Sequence, residues 1–476
     1  DVMIDGRETA PSAAHARMYQ DARGEVVPGR SIDGALAAAI PGAPAALAHL
    51  AERYGRLPLA VSLAPAITSA RDGFVVTPHY RRLAQFRLAS LRASPAAAAV
   101  FLDGGEVPAP GSRIRQPALA DTLERLASHG RAGFYEGELA ARLVEGARAA
   151  GGIWTLADLR DYRVIERAPL RGEYRGTRIV TAPPPSAGGV ALLTMLNTLA
   201  AGESPPSPLL GKHLLIESMR RAYRDRAEFL GDPDFVPVPV AQLTSRAHAL
   251  QLRQSIRLDA ATPSAELPPV AVDDSGWHTT HFSIQDQDGN RVAATLSINY
   301  PFGSGFMPPG TGVLLNDEMD DFSVKPGAPN VYGLIGNHAN AIAPGKRMLS
   351  SMTPTFVDTG DRVAILGTPG GSRIITMVLH ALLGVVDGRS AEEIVRQPRF
   401  HHQYLPDLVQ FEAGALSWRE RRQLRRLGHT LKKLDDPYGN MQVVIFDKRS
   451  GQLEAASDPR GEGAAQVASG RRSARE

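Results

Sequence analysis

Apolar positions in the first half of the chain recur mostly every three or four residues. This period, interrupted by Pro and Gly, predicts amphipathic helices separated by stops. The predicted helices are 45–54, 80–91, 118–129, 190–200 and 212–230. Between residues 152 and 182, a short helix is followed by predicted strands at 170–174 and 178–182. The first part of the chain is therefore expected to be rich in helices.

The pattern changes after residue 277, where apolar and polar residues begin to alternate. Residues 281–286 and 291–298 alternate on either side of Asp288-Gly289-Asn290, which predicts a β-hairpin. Further strands are predicted at 355–358, 363–366 and 442–447, and helices at 372–386 and 391–397. Because strands and helices do not alternate strictly, we expect a layered α+β fold and not a doubly wound sheet.

The two halves meet at a segment with candidate chemistry. Residues 261–276 are rich in Pro, Asp and Ser and are interpreted as an exposed linker. Thr279 lies three residues beyond its end. A Thr hydroxyl is a weak nucleophile, but an N-terminal Thr carries a base in its own α-amine. A cut before Thr279 would therefore create a nucleophile.

The predicted hairpin sets polar side chains near that position. If its turn centres on Asp288 and Gly289, Thr279 falls opposite about 297–299. Thr295, Ser297 and Asn299 alternate and so share one face of the strand. A site beside Thr279 and a solvent-facing strand edge explain this polar trio equally well.

Two loops offer groups that could act on a carbonyl or bind an anion. Gly370 and Gly371 join an apolar strand to an apolar helix, where their N–H groups could stabilise an oxyanion. A tight turn with Ser372 as the helix cap is the alternative. Ser350 and Ser351 offer hydroxyls to a carboxylate, or belong to an ordinary loop before a strand.

Charged residues supply two more candidates. The stretch 315–322 contains Glu318 and Asp321, whose carboxylates could bind an ammonium group or a metal, or could line a charged loop. Arg7 is a candidate clamp for a carboxylate. A salt bridge between Arg7 and Glu8 is the simpler interpretation.

Composition narrows the class of protein. The chain has 476 residues, 43% hydrophobic and 22% charged, which indicates a globular protein with several domains or one large layered domain. With no cysteine, disulfides, thiolate catalysis and Cys-based zinc sites are excluded. The formal net charge is only +3, and the Arg-rich runs lack interleaved aromatics, so we interpret them as solvated helix faces and expect no nucleic-acid partner.

Metal and membrane signals are weak. The pairs His278/His281 and His401/His402 lack a third ligand in pattern, so neither a metal nor a cofactor is predicted. The apolar run 374–386 is too short for a bilayer span and is interpreted as a buried helix. The chain opens at Asp1 without an apolar leader, which suggests a fragment or a processed form.

Taken together and in order, these motifs resemble the γ-glutamyltranspeptidase family over almost the whole chain. The matching stretches are AspGlyArgGluThrAlaPro (5–11), ProProProSerAlaGlyGly (183–189), ThrThrHisPheSer (279–283), AspGlyAsn (288–290), LeuLeuAsnAspGluMetAspAspPhe (314–322), ProGlyLysArgMetLeuSerSerMetThrPro (344–354), GlyThrProGlyGlySer (367–372) and SerAspProArg (457–460). The resemblance implies a four-layer αββα sandwich of the N-terminal-nucleophile type. It also implies a precursor cut between His278 and Thr279 into a large subunit, 1–278, and a small subunit, 279–476, which stay associated. An N-terminal part of the family's large subunit is expected to be missing here.

The resemblance assigns roles residue by residue. It implies that Thr279 is the nucleophile, that Ser297 hydrogen-bonds it, and that Gly370 and Gly371 form the oxyanion hole. The residues that it implies for substrate binding are Arg7, Ser350 and Ser351 for the α-carboxylate, Glu318 and Asp321 with Asn299 for the α-ammonium, and Tyr332 in a loop that covers the bound glutamate in many bacterial members.

The implied activity is γ-glutamyl transfer and hydrolysis. A γ-glutamyl amide such as glutathione would form an ester on Thr279, which water or an amino-acid or peptide acceptor would resolve. Two alternatives remain open: a related acylase for glutaryl or cephalosporin side chains, and an inactive truncated homologue. The resemblance also implies a periplasmic or secreted protein.

Overall fold

The computed structural model describes residues 1–203, 207–266, 279–325 and 336–468. The chain forms two compact units, each assembled from several stretches. The first unit comprises Asp1–Ala168, Ser297–Pro326 and Asn340–Met348, and the second comprises Pro169–Leu296, Gly327–Ala339 and Leu349–Glu476. Both units take residues from either side of Thr279. The boundary between the two compact units therefore differs from the boundary expected between the subunits. The subunit boundary is the position of a covalent cut, and it stays a prediction.

The first unit is mainly helical. Its elements are β1 (Met3–Asp5), α1 (Ala43–Tyr54), α2 (Leu59–Asp72), β2 (Phe74–Val75), α3 (Pro78–Phe86), α4 (Leu88–Ala93), α5 (Pro95–Phe101), β3 (Arg113–Ile114), α6 (Pro117–His129), α7 (Ala132–Tyr135), α8 (Gly137–Ala149), α9 (Leu156–Asp161) and β4 (Ile165–Arg167). The strands form two short antiparallel pairs, β1 with β4 and β2 with β3. Its core surrounds the buried rings of Phe134, Tyr135 and Trp154.

The second unit combines helices with the main sheet. Its elements are β5 (Leu170–Tyr174), β6 (Thr177–Thr181), α10 (Gly188–Ala200), α11 (Pro208–Phe229), α12 (Val240–Leu243), α13 (Arg246–Gln254), β7 (Thr280–Gln285), β8 (Arg291–Leu296), β9 (Thr355–Asp358), β10 (Arg362–Gly367), α14 (Ile374–Val386), α15 (Ala391–Arg396), β11 (Phe400–His401), β12 (Val409–Phe411), α16 (Trp418–Arg426), β13 (Leu431–Lys433), β14 (Gln442–Asp447) and β15 (Leu453–Ser457). Within the described residues, no helix has the length and apolar character that crossing a bilayer requires.

A six-stranded antiparallel sheet runs in the order β15-β14-β10-β9-β6-β5. Its pair β6–β9 joins strands from before and after Thr279, with Thr181 opposite Thr355. The strand β10 is buried along almost its whole length, as expected for a strand that is covered on both faces. The helix α14 and the β7–β8 hairpin both pack against β10. This order of helix, sheet and hairpin confirms a layered α+β fold.

The four-layer arrangement is not resolved by these elements. Within the described residues, the other sheets of this unit are the β7–β8 pair and the three-stranded sheet β11-β12-β13. The αββα sandwich therefore stays a prediction.

One sequence-based expectation is wrong in part. Residues 261–266 were expected to belong to an exposed linker, but Ala261 and Ser264 are buried. The Ser264 hydroxyl donates to the carbonyl of Tyr404 at 2.6 Å, and its N–H donates to Asp407 at 2.6 Å. These distant partners hold the segment against the unit. The rest of the expected linker lies outside the described residues.

A buried ion network fastens the stretch after β15. Asp458 accepts from Arg399 at 2.6 Å and from Arg460 at 3.0 Å, and Arg460 also pairs with Glu412 at 2.9 Å. Asp458 and Arg399 are each about 1% exposed. Breaking a buried pair leaves an uncompensated charge, which costs about 3–5 kcal/mol.

We therefore expect Asp458→Asn to lower the free energy of unfolding by about 3–5 kcal/mol, measured by urea denaturation. Asp361→Asn is the matched control. Asp361 is exposed and lies 3.6 Å from Arg449, and removal of such a surface pair should cost below about 1 kcal/mol. Equal effects of the two variants would contradict the stabilising role of the network.

Candidate active site

In the first unit, Arg7 lies at the centre of an acidic cluster. Its Nη1 donates to Glu318 at 2.6 Å, its Nη2 to Asp321 at 2.5 Å, and its Nε to the carbonyl of Met348 at 3.2 Å. Glu8 lies 3.6 Å from the same guanidinium. The salt bridge with Glu8 that the sequence suggested is present. The structure thus groups Arg7 with the two acids that were predicted to bind an ammonium group.

This cluster has more negative than positive groups. Three carboxylates face one guanidinium, and Arg7, Glu8 and Glu318 are all buried. Burial raises the pKa of Glu318, and the nearby charges of Glu8 and Asp321 raise it further, against the lowering effect of Arg7. Within the described residues, Glu318 Oε1 is buried without a hydrogen-bond partner. An added cation would balance this cluster and satisfy that oxygen.

An Asn side chain shapes the loop that carries the two acids. Asn316 Oδ1 accepts from the N–H groups of Glu318 and Ala39, each at 3.0 Å, and its Nδ2 donates to the Ala39 carbonyl at 3.0 Å. An Asn that bonds the backbone two residues on favours a turn. The 3₁₀ helix Glu318–Asp321 begins there, so Asn316 fixes the direction in which both acids point.

Asn299 and Ser297 form a second, tight arrangement in the same unit. The Asn299 N–H donates to Ser297 Oγ at 2.8 Å, and Asn299 Nδ2 donates to the Asp317 carbonyl at 3.1 Å. Asn299 has φ +70°, a conformation that Asn tolerates better than most residues. Asp317 also accepts from the Tyr300 N–H at 2.9 Å. Asp317 is therefore a positioning residue that the sequence did not single out.

In the second unit, Thr279 is the residue immediately before β7 and is half-buried. The hairpin pairs Thr280 with Leu296 and Gln285 with Arg291, within one residue of the predicted register. Its turn is closed by a hydrogen bond from the Asp286 N–H to the Asn290 carbonyl at 3.0 Å. The predicted hairpin is confirmed.

His281 anchors this hairpin to the main sheet. Its ring is buried, bonds Thr295 Oγ1 at 2.8 Å and Ser283 Oγ at 3.2 Å, and lies directly against Gly367. A Cβ at Gly367 would come within 2.0 Å of that ring, so only glycine fits there. Ser283 in turn donates to the carbonyl of Ile365 at 3.2 Å. The sequence placed His281 in the predicted hairpin and tested it as a metal ligand, and the structure shows that it positions the strand that follows Thr279.

The His281 ring is expected to weaken the fold in acid. Burial lowers its pKa to about 3, whereas a His in the unfolded chain titrates near 6.5. The unfolded chain takes up the proton first, so this contribution to stability is complete above about pH 6.5 and is lost as the pH falls toward 3. In urea denaturation between about pH 7 and 4, the unfolding free energy of His281→Gln should therefore fall less steeply than that of the wild type. Identical slopes would be evidence against a neutral buried ring.

The predicted glycine loop lies at the end of β10. Gly370 has φ +140° and Gly371 has φ +53°, a backbone region that favours glycine. A Cβ at Gly370 would also meet the side chain of Met377 at 2.4 Å. Within the described residues, neither glycine N–H donates a hydrogen bond. Because these N–H groups precede α14, they are available to an anion.

Ser350 and Ser351 pack against the proline-rich loop at 183–189. Ser350 N–H donates to the Pro185 carbonyl at 2.9 Å, and the Ala187 N–H donates to the Ser350 carbonyl at 2.8 Å. The Ser351 hydroxyl accepts from Arg226 Nη2 at 3.4 Å. Both serines are buried. The two motifs thus form one structural element within the second unit.

The structure divides the predicted site residues into two groups. Arg7, Ser297, Asn299, Glu318 and Asp321 belong to the first unit, and Thr279, Ser350, Ser351, Gly370 and Gly371 belong to the second. Tyr332 lies outside the described residues. The role predicted for each residue stays a prediction, and for Arg7 it requires a substrate carboxylate to share the guanidinium with Glu318 or Asp321.

One histidine cluster escaped the sequence analysis. His213, Glu217 and His429 are buried in the second unit, with potential ligand atoms within 4.8 Å of one another. His213 Nδ1 and His429 Nε2 are hydrogen-bonded at 2.7 Å, and Glu217 is already neutralised by ion pairs with Arg220 and Arg221. Two adjacent guanidinium groups disfavour a metal ion. We interpret the cluster as a hydrogen-bonded pair.

Comparison with known proteins defines the class of fold. A crystal structure of cephalosporin acylase from Bacillus halodurans superposes with a TM-score of 0.84 at 28% identity, over 98% of this chain and 84% of that one. The mixed helix-and-sheet fold is that of the N-terminal-nucleophile hydrolases.

Sequence comparison then defines the family. The model described as gamma-glutamyltranspeptidase matches residues 2–468. A glutathione hydrolase proenzyme of Pseudomonas sp. (strain A14) is 44% identical over 423 residues, 87% of this chain and 73% of the relative. That of Pseudomonas aeruginosa is 41% identical over 472 residues, 97% of this chain and 83% of the relative. The chain belongs to the γ-glutamyltranspeptidase family and is an enzyme.

Proposed function

We propose that this enzyme hydrolyses and transfers γ-glutamyl groups, with glutathione as the model donor. The observation that carries the proposal is the excess of negative charge around Arg7. A glutamate head group bears one α-carboxylate and one α-ammonium. Arg7 suits the carboxylate, and Glu318 and Asp321 suit the ammonium, whose N–H groups would also reach the unpaired Glu318 Oε1.

The chemistry follows from the nucleophile. Thr279 Oγ attacks the γ-carbonyl carbon while its α-amine takes the hydroxyl proton. Charge develops on the carbonyl oxygen and is stabilised by the N–H groups of Gly370 and Gly371. The C–N bond then breaks, the proton passes to the leaving amine, and a γ-glutamyl ester remains on Thr279. Water or the amine of an acceptor resolves that ester and restores the hydroxyl.

This mechanism requires a free amine on Thr279, so we propose self-cleavage of the His278–Thr279 bond as the activating step. The two relatives are both named proenzymes, which supports a precursor. In the cleavage, Thr279 Oγ attacks the preceding carbonyl carbon, an ester replaces the amide, and water hydrolyses the ester. The products are a large subunit ending at His278 and a small subunit beginning at Thr279.

A second candidate is an acylase for side chains that lack the α-amine. The structural similarity to a cephalosporin acylase favours it. A glutaryl group has no ammonium, however, so Arg7 alone would have to balance Glu8, Glu318 and Asp321 as well as the carboxylate of the substrate. Burying unpaired charge is costly. The acidic cluster therefore favours a γ-glutamyl substrate.

A pair of matched substrates tests this proposal on the wild-type protein. We expect kcat/KM for a γ-glutamyl anilide to exceed that for a glutaryl anilide by about 10²-fold or more, because one ammonium–carboxylate contact is worth about 3 kcal/mol. The two anilides differ only in the α-amine. A preference for the glutaryl compound would support the acylase instead. An uncut protein that turns over neither would indicate an inactive homologue.

A further inference from the structure

Helix α16 presents a surface that the proposed chemistry does not use. Residues 417–436, which contain it, hold seven Arg or Lys and three Asp or Glu, a formal charge of +4. The whole chain of 476 residues carries only +3. This segment therefore carries a local excess of positive charge.

The packing of α16 decides which side chains face outward. Leu424 is fully buried and orients the helix against its unit. At about 100° per residue, Trp418, Arg422 and Arg426 fall on the side opposite Leu424, with Arg419 beside them. Trp418 is 63% exposed, and the three arginines are exposed as well. We call this surface, together with the exposed Arg425, the α16 face.

The arginines of the α16 face are not neutralised by neighbours. Within the described residues, none of Arg419, Arg422, Arg425 and Arg426 forms an ion pair. Glu420, the acid of this helix, pairs with Lys212 at 2.8 Å and accepts from the Ser417 N–H at 2.8 Å. The helix therefore keeps its positive charge available for a partner.

The charge continues beyond the helix. Lys432 and Lys433 are exposed on β13, which lies at the edge of the sheet β11-β12-β13. The helix packs near this sheet, since Arg421 lies over the Phe411 ring of β12 at 5.9 Å. The nearest following acids, Asp435 and Asp436, come after the strand and offset part of this charge.

The exposed aromatic ring indicates the kind of partner. The Arg422 guanidinium lies over the Trp418 ring at 5.5 Å, so a flat apolar ring stands among cations. Trp and Arg together suit the interface of a bilayer, where the ring sits at headgroup level and cations meet phosphates. Single-stranded nucleic acid would need a series of rings on which bases stack, and the α16 face offers one.

We propose that the α16 face docks on an anionic phospholipid bilayer. Each arginine near an anionic surface strengthens partition about fivefold, and Trp418 adds the apolar contact. Docking is peripheral and reversible, because the apolar side of α16 is already used in packing and only one ring is left to insert.

Sedimentation with vesicles tests the proposal on the full-length protein. Vesicles of phosphatidylglycerol and phosphatidylcholine are compared with phosphatidylcholine alone, at a salt concentration of about 0.15 M that screens weak surface charge. The wild type should bind only the anionic vesicles. The variant Arg419→Gln/Arg422→Gln/Arg425→Gln/Arg426→Gln should lose at least about 100-fold in affinity, and Trp418→Ala about tenfold.

A matched variant separates a defined surface from overall charge. Arg53, Arg115, Arg148 and Arg246 are exposed and form no ion pair within the described residues. Changing these four to Gln alters the net charge equally and should leave vesicle binding within about twofold of wild type. All variants should keep wild-type Tm and turnover of a γ-glutamyl anilide. Equal loss in both quadruple variants, no wild-type binding, or binding of an oligonucleotide but not of vesicles would overturn the proposal.

Discussion

Replacing Thr279 with Ala is expected to leave one uncut polypeptide without measurable turnover. The proposed mechanism uses the same hydroxyl for self-cleavage and for acyl transfer, so both reactions stop together. Loss of a nucleophile costs on the order of 10⁴-fold or more in kcat. Intact-mass measurement with N-terminal sequencing decides the outcome, because the wild type should give pieces of about 30 and 20 kDa, one beginning at Thr279.

The neighbouring threonine provides the control. Thr280 is exposed and pairs with Leu296 in the same hairpin, so Thr280→Ala removes a similar hydroxyl one residue away. This variant should be cut at the same bond and should keep turnover within a few-fold of wild type. Cleavage of the Thr279→Ala variant before residue 279, or equal inactivity of both variants, would remove Thr279 from the mechanism.

Replacing Asp321 with Asn is expected to change substrate preference more than stability. The ammonium of a γ-glutamyl substrate would lose a charged partner, which costs about 3–4 kcal/mol, or about 10²–10³-fold in kcat/KM. A glutaryl anilide lacks that ammonium, so its kcat/KM should stay within a few-fold. Arg7 keeps Glu318 and Glu8 as partners in this variant, which preserves its charge balance.

Asp320→Asn is the matched control for this change. Asp320 is buried, whereas Asp321 is partly exposed, and the Asp320 carboxylate accepts from the Ser31 hydroxyl at 2.6 Å. We expect its ratio of γ-glutamyl to glutaryl turnover to equal that of the wild type, measured well below the Tm of each variant. If Asp321→Asn lowers turnover of both substrates by the same factor, Asp321 does not bind the ammonium of the substrate.

The pattern of apolar and polar residues predicted an element correctly where the tertiary contacts of that element favour the same conformation. The strands at 355–358 and 442–447 have the predicted bounds, because their alternation and β-branched residues match a buried sheet. The helix predicted at 80–91 is in fact two, α3 and α4, which meet at Arg87. The Arg87 guanidinium donates to the carbonyls of Pro301 at 3.1 Å and Gly303 at 2.7 Å. Such distant partners leave no periodic signal.

The elements α2 and β15 were not predicted, because each contains residues that are unfavourable for its conformation. Pro65 lies inside α2, where its ring and missing N–H normally break a helix, yet α2 persists because it packs along α6. The strand β15 contains Leu-Glu-Ala-Ala, a helix-like composition, and owes its conformation to pairing with β14. Tertiary contacts override local propensity in both cases.

The candidate site shows the same limit. The order of the motifs identified Arg7, Glu318 and Asp321 as separate candidates. It did not predict the ion pairs between them, because these join residues more than 300 positions apart. Glu8 and Asp317 stand beside predicted residues in the chain, and their role emerges only from burial. The charge excess that favours a γ-glutamyl substrate is therefore a property of the folded cluster and not of any single motif.

The pairing of β6 with β9 determines how a cut enzyme would come apart. These strands lie on opposite sides of the His278–Thr279 bond in the chain, yet they are hydrogen-bonded neighbours inside one sheet. Separating the two pieces would break the hydrogen bonds between β6 and β9 inside the sheet. The pieces should therefore elute together on gel filtration unless the protein is denatured. Once unfolded, however, they must find each other again by diffusion. Refolding of the nicked protein would then depend on its concentration, while refolding of an uncut variant would not.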